Sequence, residues 1–189
     1  MSARWASDGK RRQRGRKVKG QRENTKVRVR LFEEKDEQRI LDILNMAIAD
    51  RRVTALLTPV TRKKRVPWFV EHRAERHPIF VAEVDSRVVG WMAVTAYRSG
   101  REGFSKACEL SYYLDKAYQH QGIGTVLMDR VITRCRTLGY RHLMLIIFED
   151  NLPSLSLARK FGFEPWGLFP GIVEIDGHTK DCFQMGRAI

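Results

Sequence analysis

Hydrophobic positions recur along this chain with two periods, and together they lay out the order of elements. Val27, Val29 and Leu31 alternate with Arg28 and Arg30, predicting a strand over residues 27–32. Ile40, Leu41, Leu44, Ala47 and Ile48 then recur at helical spacing and predict a helix over 35–50. A second helix is expected over 62–76, with Pro67 marking its start or a kink. Two β-rich runs, 79–84 and 88–97, flank Asp85-Ser86-Arg87 and predict a hairpin. The run 107–114 is dense in aliphatic and aromatic residues and predicts a third consecutive strand. An amphipathic helix follows over 122–138, ended by Gly139. Residues 141–147 predict a buried strand and 152–161 a helix. Segments 171–175 and 178–185 flank Asp176-Gly177, a second hairpin signal. No repeat or linker interrupts this order, which predicts a mixed α/β (α+β) layer fold over residues 26–189.

Charge changes the picture at one end only. The 189 residues carry a formal net charge of +13, and residues 1–30 hold 12 basic against 2 acidic side chains. Residues 1–25 lack enough apolar side chain to offset the entropy of ordering, so they predict a basic, disordered arm ahead of a nearly balanced body. Cys108, Cys135 and Cys182 have neither paired nor metal-ligand spacing. An odd cysteine count with no signal peptide points to reduced thiols and a cytoplasmic location. No apolar run approaches the roughly 18 residues of a membrane span, so no membrane role is expected. His72, His77, His142 and His178 show no metal spacing, and no metal is expected.

Two features carry candidate chemistry. Gln119-His120-Gln121-Gly122-Ile123-Gly124 leads straight into Thr125 and a helical pattern. Backbone N–H groups at such a helix start favour an anion, and glycine admits close approach. Glu109 lies on an otherwise apolar strand, where a carboxylate is costly unless it is solvated, paired or used in a reaction.

The spacing Gln-x-x-Gly-x-Gly over 119–124 resembles the acetyl-CoA pyrophosphate loop of the GNAT (GCN5-related) N-acetyltransferases. Asn151-Leu152-Pro153-Ser154 through Phe161-Gly162-Phe163 is similar to a second segment of that family. Thr54-Ala55, Pro59-Val60-Thr61, Trp68-Phe69 and Pro78 to Glu83 resemble its phosphinothricin and methionine-sulfone N-acetyltransferase branch. The resemblance covers roughly residues 27–185. It implies a sheet with helices on both faces whose central parallel strands, 107–114 and 142–147, splay apart to admit the pantetheine arm of acetyl-CoA, the co-substrate. Main-chain groups of Tyr112, Tyr113 and Leu114 would then pair with that arm, since unpaired strand backbone needs partners. Gln119, His120, Gln121, Gly122, Ile123, Gly124 and Thr125 would hold the pyrophosphate, with Asn151 and Ser154 as further cofactor contacts. Glu109 would be the general base. Arg98 and Arg101 would bind the carboxylate of an amino-acid substrate.

Three departures stand out. Gln119 replaces a common Arg, Ala158 stands where the family places a general acid, and the terminal hairpin differs from the branch pattern. Tyr113 is a stand-in for the missing acid, or a core residue. The expected function is acetyl transfer to a small-molecule primary amine, of an amino acid or analogue, through a ternary complex. Two rivals stay open: acetylation of a protein N-terminus or ribosomal protein, and a non-catalytic acyl-CoA-binding module. Homodimer formation and a weak nucleic-acid contact through the arm are further partner readings.

Overall fold

The computed structural model describes residues 26–72 and 74–189. The basic arm expected over residues 1–25 lies outside the described residues. The elements run β1 (Arg28–Leu31), α1 (Glu37–Asp50), α2 (Arg62–Glu71), β2 (Ile79–Val84), β3 (Arg87–Ala96), β4 (Ala107–Leu114), α3 (Ile123–Thr137), β5 (His142–Phe148), α4 (Leu152–Lys160), β6 (Glu164–Ile175) and β7 (His178–Ala188). The seven strands form one sheet in the order β1-β2-β3-β4-β5-β7-β6. β4 and β5 pair in parallel, and the neighbours on either side of them pair antiparallel.

Strand alternation divides the core into two layers. Phe80 and Ala82 of β2, with Met92 and Val94 of β3, face α3 and α4, where Leu127, Met128, Val131 and Leu155 are fully buried. Ile79, Val81, Trp91 and Ala93 face the other way, onto Ile40, Leu41, Leu44 and Ile48 of α1 and Phe69 of α2. Both expected hairpins turn through left-handed pairs: Asp85 (φ 48°) with Ser86 (φ 63°), and Asp176 (φ 50°) with Gly177 (φ 79°). Positive φ at both central residues matches the twist of the flanking strands.

Two expectations on extent are corrected. α2 ends at Glu71 instead of 76, because past Phe69 the chain offers no further apolar side chain for that face; the ring of His72 bonds back to the Trp68 carbonyl instead. β6 begins at Glu164, seven residues before the expected strand start at 171. Pro165, Gly167, Pro170 and Gly171 mask it in the sequence, and its ladder to β7 absorbs them with register shifts at Pro165/Gly167 and Phe169/Val173.

The decisive feature lies between the two central strands. Their pairing covers Ala107↔His142, Cys108↔Leu143 and Glu109↔Met144, then stops. β4 continues to Leu114 along β3, through Gly90↔Leu114, while β5 continues to Phe148 along β7, through Phe148↔Cys182. Each strand follows its own half of the sheet, and a fork opens.

Candidate functional site

A cleft of about 490 Å³ fills that fork. Glu109 to Leu114 form one wall and Leu145 to Ile147 the other. The 119–125 loop closes one end, with Asn151, Ser154 and Leu157 from the start of α4. The main-chain groups of Tyr112, Tyr113 and Leu114 that face β5 have no partner strand there, and hydrogen-bonding groups of that kind need one.

The loop is built by local bonds. Asp115 accepts from the Ala117 amide at 3.0 Å and pairs with Arg39, which also donates to the Val88 carbonyl at 2.9 Å. Burial pushes the Asp115 carboxyl up, but the Ala117 amide and Arg39 hold it below the usual range. Gln121 donates to the Ala117 carbonyl at 3.0 Å. His120 (φ 59°) and Gly122 (φ 82°) then turn the chain into α3. The Gly122 carbonyl accepts from Thr125 and Val126 at 3.0 and 3.2 Å. The amides of Ile123 and Gly124, first in the helix, have no intrahelical acceptor, which is the arrangement an anion needs. Gly124 itself is tight against protein: a Cβ there would lie 3.0 Å from the Leu157 side chain. Its lack of a side chain lets α3 and α4 meet, and the left-handed turn is the work of Gly122.

Gln119 lines the cleft without a charge, but a cation reaches the loop from elsewhere. Lys160, at the end of α4, donates to Thr125 Oγ1 at 3.3 Å. Nothing in the local sequence around 119–125 signals this neighbour, which comes from 35 residues downstream. Lys116 and Arg52 also line the cleft, and both pair with Asp50, at 2.8 and 3.2 Å.

Glu109 is the last β4 residue in register with β5, so it stands where the fork begins. Burial raises its pKa above the ordinary carboxylate value, and no described residue offers it a hydrogen bond or counter-ion. Thr95 lies directly across the strand pair, and its hydroxyl is 3.1 Å from His72 Nε2. His72 Nδ1 lies 2.7 Å from the Trp68 carbonyl, which can only accept, so Nδ1 carries the hydrogen and Nε2 accepts from Thr95. The imidazole is buried, and burial lowers its pKa. The carboxylate therefore stands beside a neutral pair.

Tyr113 shares the Glu109 face, with its ring 5.0 Å from that of Trp91. Tyr112 points to the opposite face, where its hydroxyl is buried near Ser154 without a well-formed hydrogen bond among the described residues. Burial raises the pKa of both phenols. Ala158 is fully buried in the α3-side core. Asn151 caps α4, its Oδ1 accepting from the Ser154 amide at 3.3 Å, and both residues border the cleft. Arg98 and Arg101 line a separate depression of about 360 Å³, with Tyr97, Phe104 and Tyr140, which shares no lining residue with the cleft.

Among the described residues no group of three or more His, Cys, Asp or Glu side chains could hold a metal ion, and no helix is long and apolar enough to cross a membrane. Cys108, Cys135 and Cys182 are free thiols, the first two with sulfurs 3.9 Å apart.

Comparison with known proteins gives a consistent picture. A family model described as "Acetyltransferase (GNAT) family" matches residues 41–163. The chain is 40% identical over 162 residues to "Putative phosphinothricin acetyltransferase YwnH" of Bacillus subtilis (strain 168), covering 85% of this chain and 98% of that one. It is 30% identical over 143 residues to an L-methionine sulfoximine/L-methionine sulfone acetyltransferase of Pseudomonas aeruginosa (75% of this chain, 83% of that one). Among solved structures, a GNAT superfamily phosphinothricin acetyltransferase from Sinorhizobium meliloti in complex with AcCoA superposes with a TM-score of 0.82 at 26% identity, over 86% of this chain and 88% of the other.

Proposed function

The chain belongs to the acetyltransferase (GNAT) family, and from that premise we propose that it moves an acetyl group from acetyl-CoA to the primary amine of an amino acid or close analogue. The observation that carries the reading is the fork. Its unpaired main chain, a helix start with amides lacking intrahelical acceptors at one end and a buried carboxylate at the other match the ends of one elongated thioester. The Ile123 and Gly124 amides, with Lys160 beside them, would hold the pyrophosphate. Tyr112, Tyr113 and Leu114 would pair their main chain with the pantetheine amides, and Asn151 and Ser154 would border the arm.

Glu109 would take a proton from the acceptor's ammonium, directly or through one water. The freed nitrogen would attack the carbonyl carbon of the thioester while a main-chain N–H near Leu114 steadies the oxyanion. Collapse breaks the C–S bond and leaves the electron pair on sulfur, while the nitrogen gives up its extra proton to the departing thiolate or to water. A thiolate leaves readily without a proton donor, so Ala158 is compatible with turnover. The amino-acid acceptor is supported by the names of the relatives, which specify phosphinothricin and methionine sulfoximine or sulfone. The three free thiols support a reducing, cytoplasmic setting.

Coenzyme A release measured across a panel of amines, amino acids and peptides tests this directly. Turnover concentrated on amino acids is the expected result; turnover on peptides alone overturns it.

A further inference from the structure

We propose that Arg65 binds the carboxylate of the acceptor, on the face of the sheet that also presents Glu109. The inference rests on the amino-acid reading above and assigns a role that family membership does not.

The half-buried arginines of this face and its edge have acidic partners. Arg30 pairs with Asp36 and Glu83, and Arg39 with Asp115. Arg62, on the same helix as Arg65, is exposed and still meets Glu34 and Glu37. Arg65 breaks this pattern. Its guanidinium lies 4.1 Å from the ring centre of Trp68, its Nε is buried without a hydrogen-bond partner, and it forms no ion pair with any described residue. A half-buried guanidinium over an indole keeps its planar fork of donors, which matches a carboxylate.

Arg65 lies outside the cleft lining, and packed aromatic side chains connect it to the cleft. Trp68 packs edge-on against Trp91 at 5.8 Å, and Trp91 against Tyr113 at 5.0 Å. Tyr113 lines the cleft, and its hydroxyl feels both charges, Arg65 pulling its pKa down and Glu109 pushing it up. One face thus carries a carboxylate and a guanidinium, neither with a counter-ion among the described residues, linked by packed aromatic side chains. An amino acid is the complementary ligand: its ammonium meets Glu109 and its carboxylate meets Arg65. An amine lacking the carboxylate would leave the guanidinium unpaired, and a site built for a charged hydrogen bond discriminates strongly against such a ligand.

The test compares methionine sulfone with 3-(methylsulfonyl)propylamine, the same molecule with hydrogen in place of the carboxylate, as acceptors for wild type, Arg65→Gln and Arg65→Lys. In Arg65→Gln, the ratio of kcat/KM for the amino acid to that for the amine should fall about 10- to 100-fold, mainly through KM. Arg65→Lys should restore part of it, and KM for acetyl-CoA should not move. Thermal stability should hold or rise in the Gln variant, because a desolvated, unpaired charge has been removed. A fall by the same factor on both acceptors, or on neither, overturns the role of Arg65 while the acceptor reading stands. A wild type that turns over no carboxylate-bearing amine overturns the acceptor reading and this inference together.

Discussion

Glu109 holds a buried carboxylate, with no counter-ion among the described residues, at the last position where β4 and β5 stay paired. Its folded pKa lies above the unfolded one, so the folded state holds the proton more tightly. Stability from this group therefore declines as pH rises through the window between the two values, and above it the charged form costs stability. Glu109→Gln should accordingly leave the melting temperature at neutral pH unchanged or higher, whereas loss of a structural ion pair would lower it. Turnover should fall about 10²- to 10⁴-fold with little change in acetyl-CoA affinity. The wild-type rate should decline as pH falls through a pKa above the ordinary carboxylate value, and the Gln variant should lack that limb. Steady-state kinetics against pH, beside thermal denaturation, reads all three outcomes.

At the scale of elements, the site depends on how α1, α3 and α4 are held against the fork. Asn45 of α1 clamps the α1–α2 connection: its Nδ2 donates to the Val60 carbonyl at 3.1 Å and its Oδ1 accepts from the Val60 amide at 2.8 Å. Asn45→Ala should destabilise the fold by about 1–3 kcal/mol and raise KM for the amine, while acetyl-CoA affinity is preserved. Denaturant titration and two-substrate kinetics separate these effects. Gly124→Val acts on the other face. Its side chain would drive into Leu157, so overpacking between α3 and α4 should cost about 1–3 kcal/mol. Because Leu157 and Gly124 both border the cleft, acetyl-CoA affinity should weaken in the same variant. Calorimetric titration showing unchanged affinity would detach the loop from phosphate binding.

For the molecule as a whole, most of the +13 charge belongs to a segment remote in sequence from the fork, since residues 1–30 hold 12 basic and 2 acidic side chains. The sites proposed for a small acceptor and acetyl-CoA lie from Glu109 onward and on α2, so deletion of residues 1–25 should leave kcat and KM for a small amine unchanged. Retention on immobilised RNA, followed against salt, should fall in the truncated chain. A large loss of turnover on the small amine would tie the arm to catalysis.

Much of this was legible in the chain itself, because local patterns report local structure. Alternation, helical spacing and the two turn dipeptides placed the element order, and Gln119 to Gly124 marked the loop that opens α3. An isolated carboxylate at 109 was conspicuous because burial makes such a residue costly. What local patterns omit are relations between distant residues. The length of β6 was invisible because prolines and glycines suppress strand propensity, while its ladder to β7 sustains it. Arg98 and Arg101 read as substrate cations and line a depression apart from the cleft, while Arg65 gains its character from Trp68 and from a lack of acidic partners among the described residues, which only packing can establish. Lys160 meets Thr125 for the same reason: two helices distant in sequence are brought together by Gly124 against Leu157. The fork itself has no residue pattern of its own. It arises because β4 keeps register with β3 to Leu114 and β5 with β7 to Phe148, while the ladder between them ends at Glu109↔Met144.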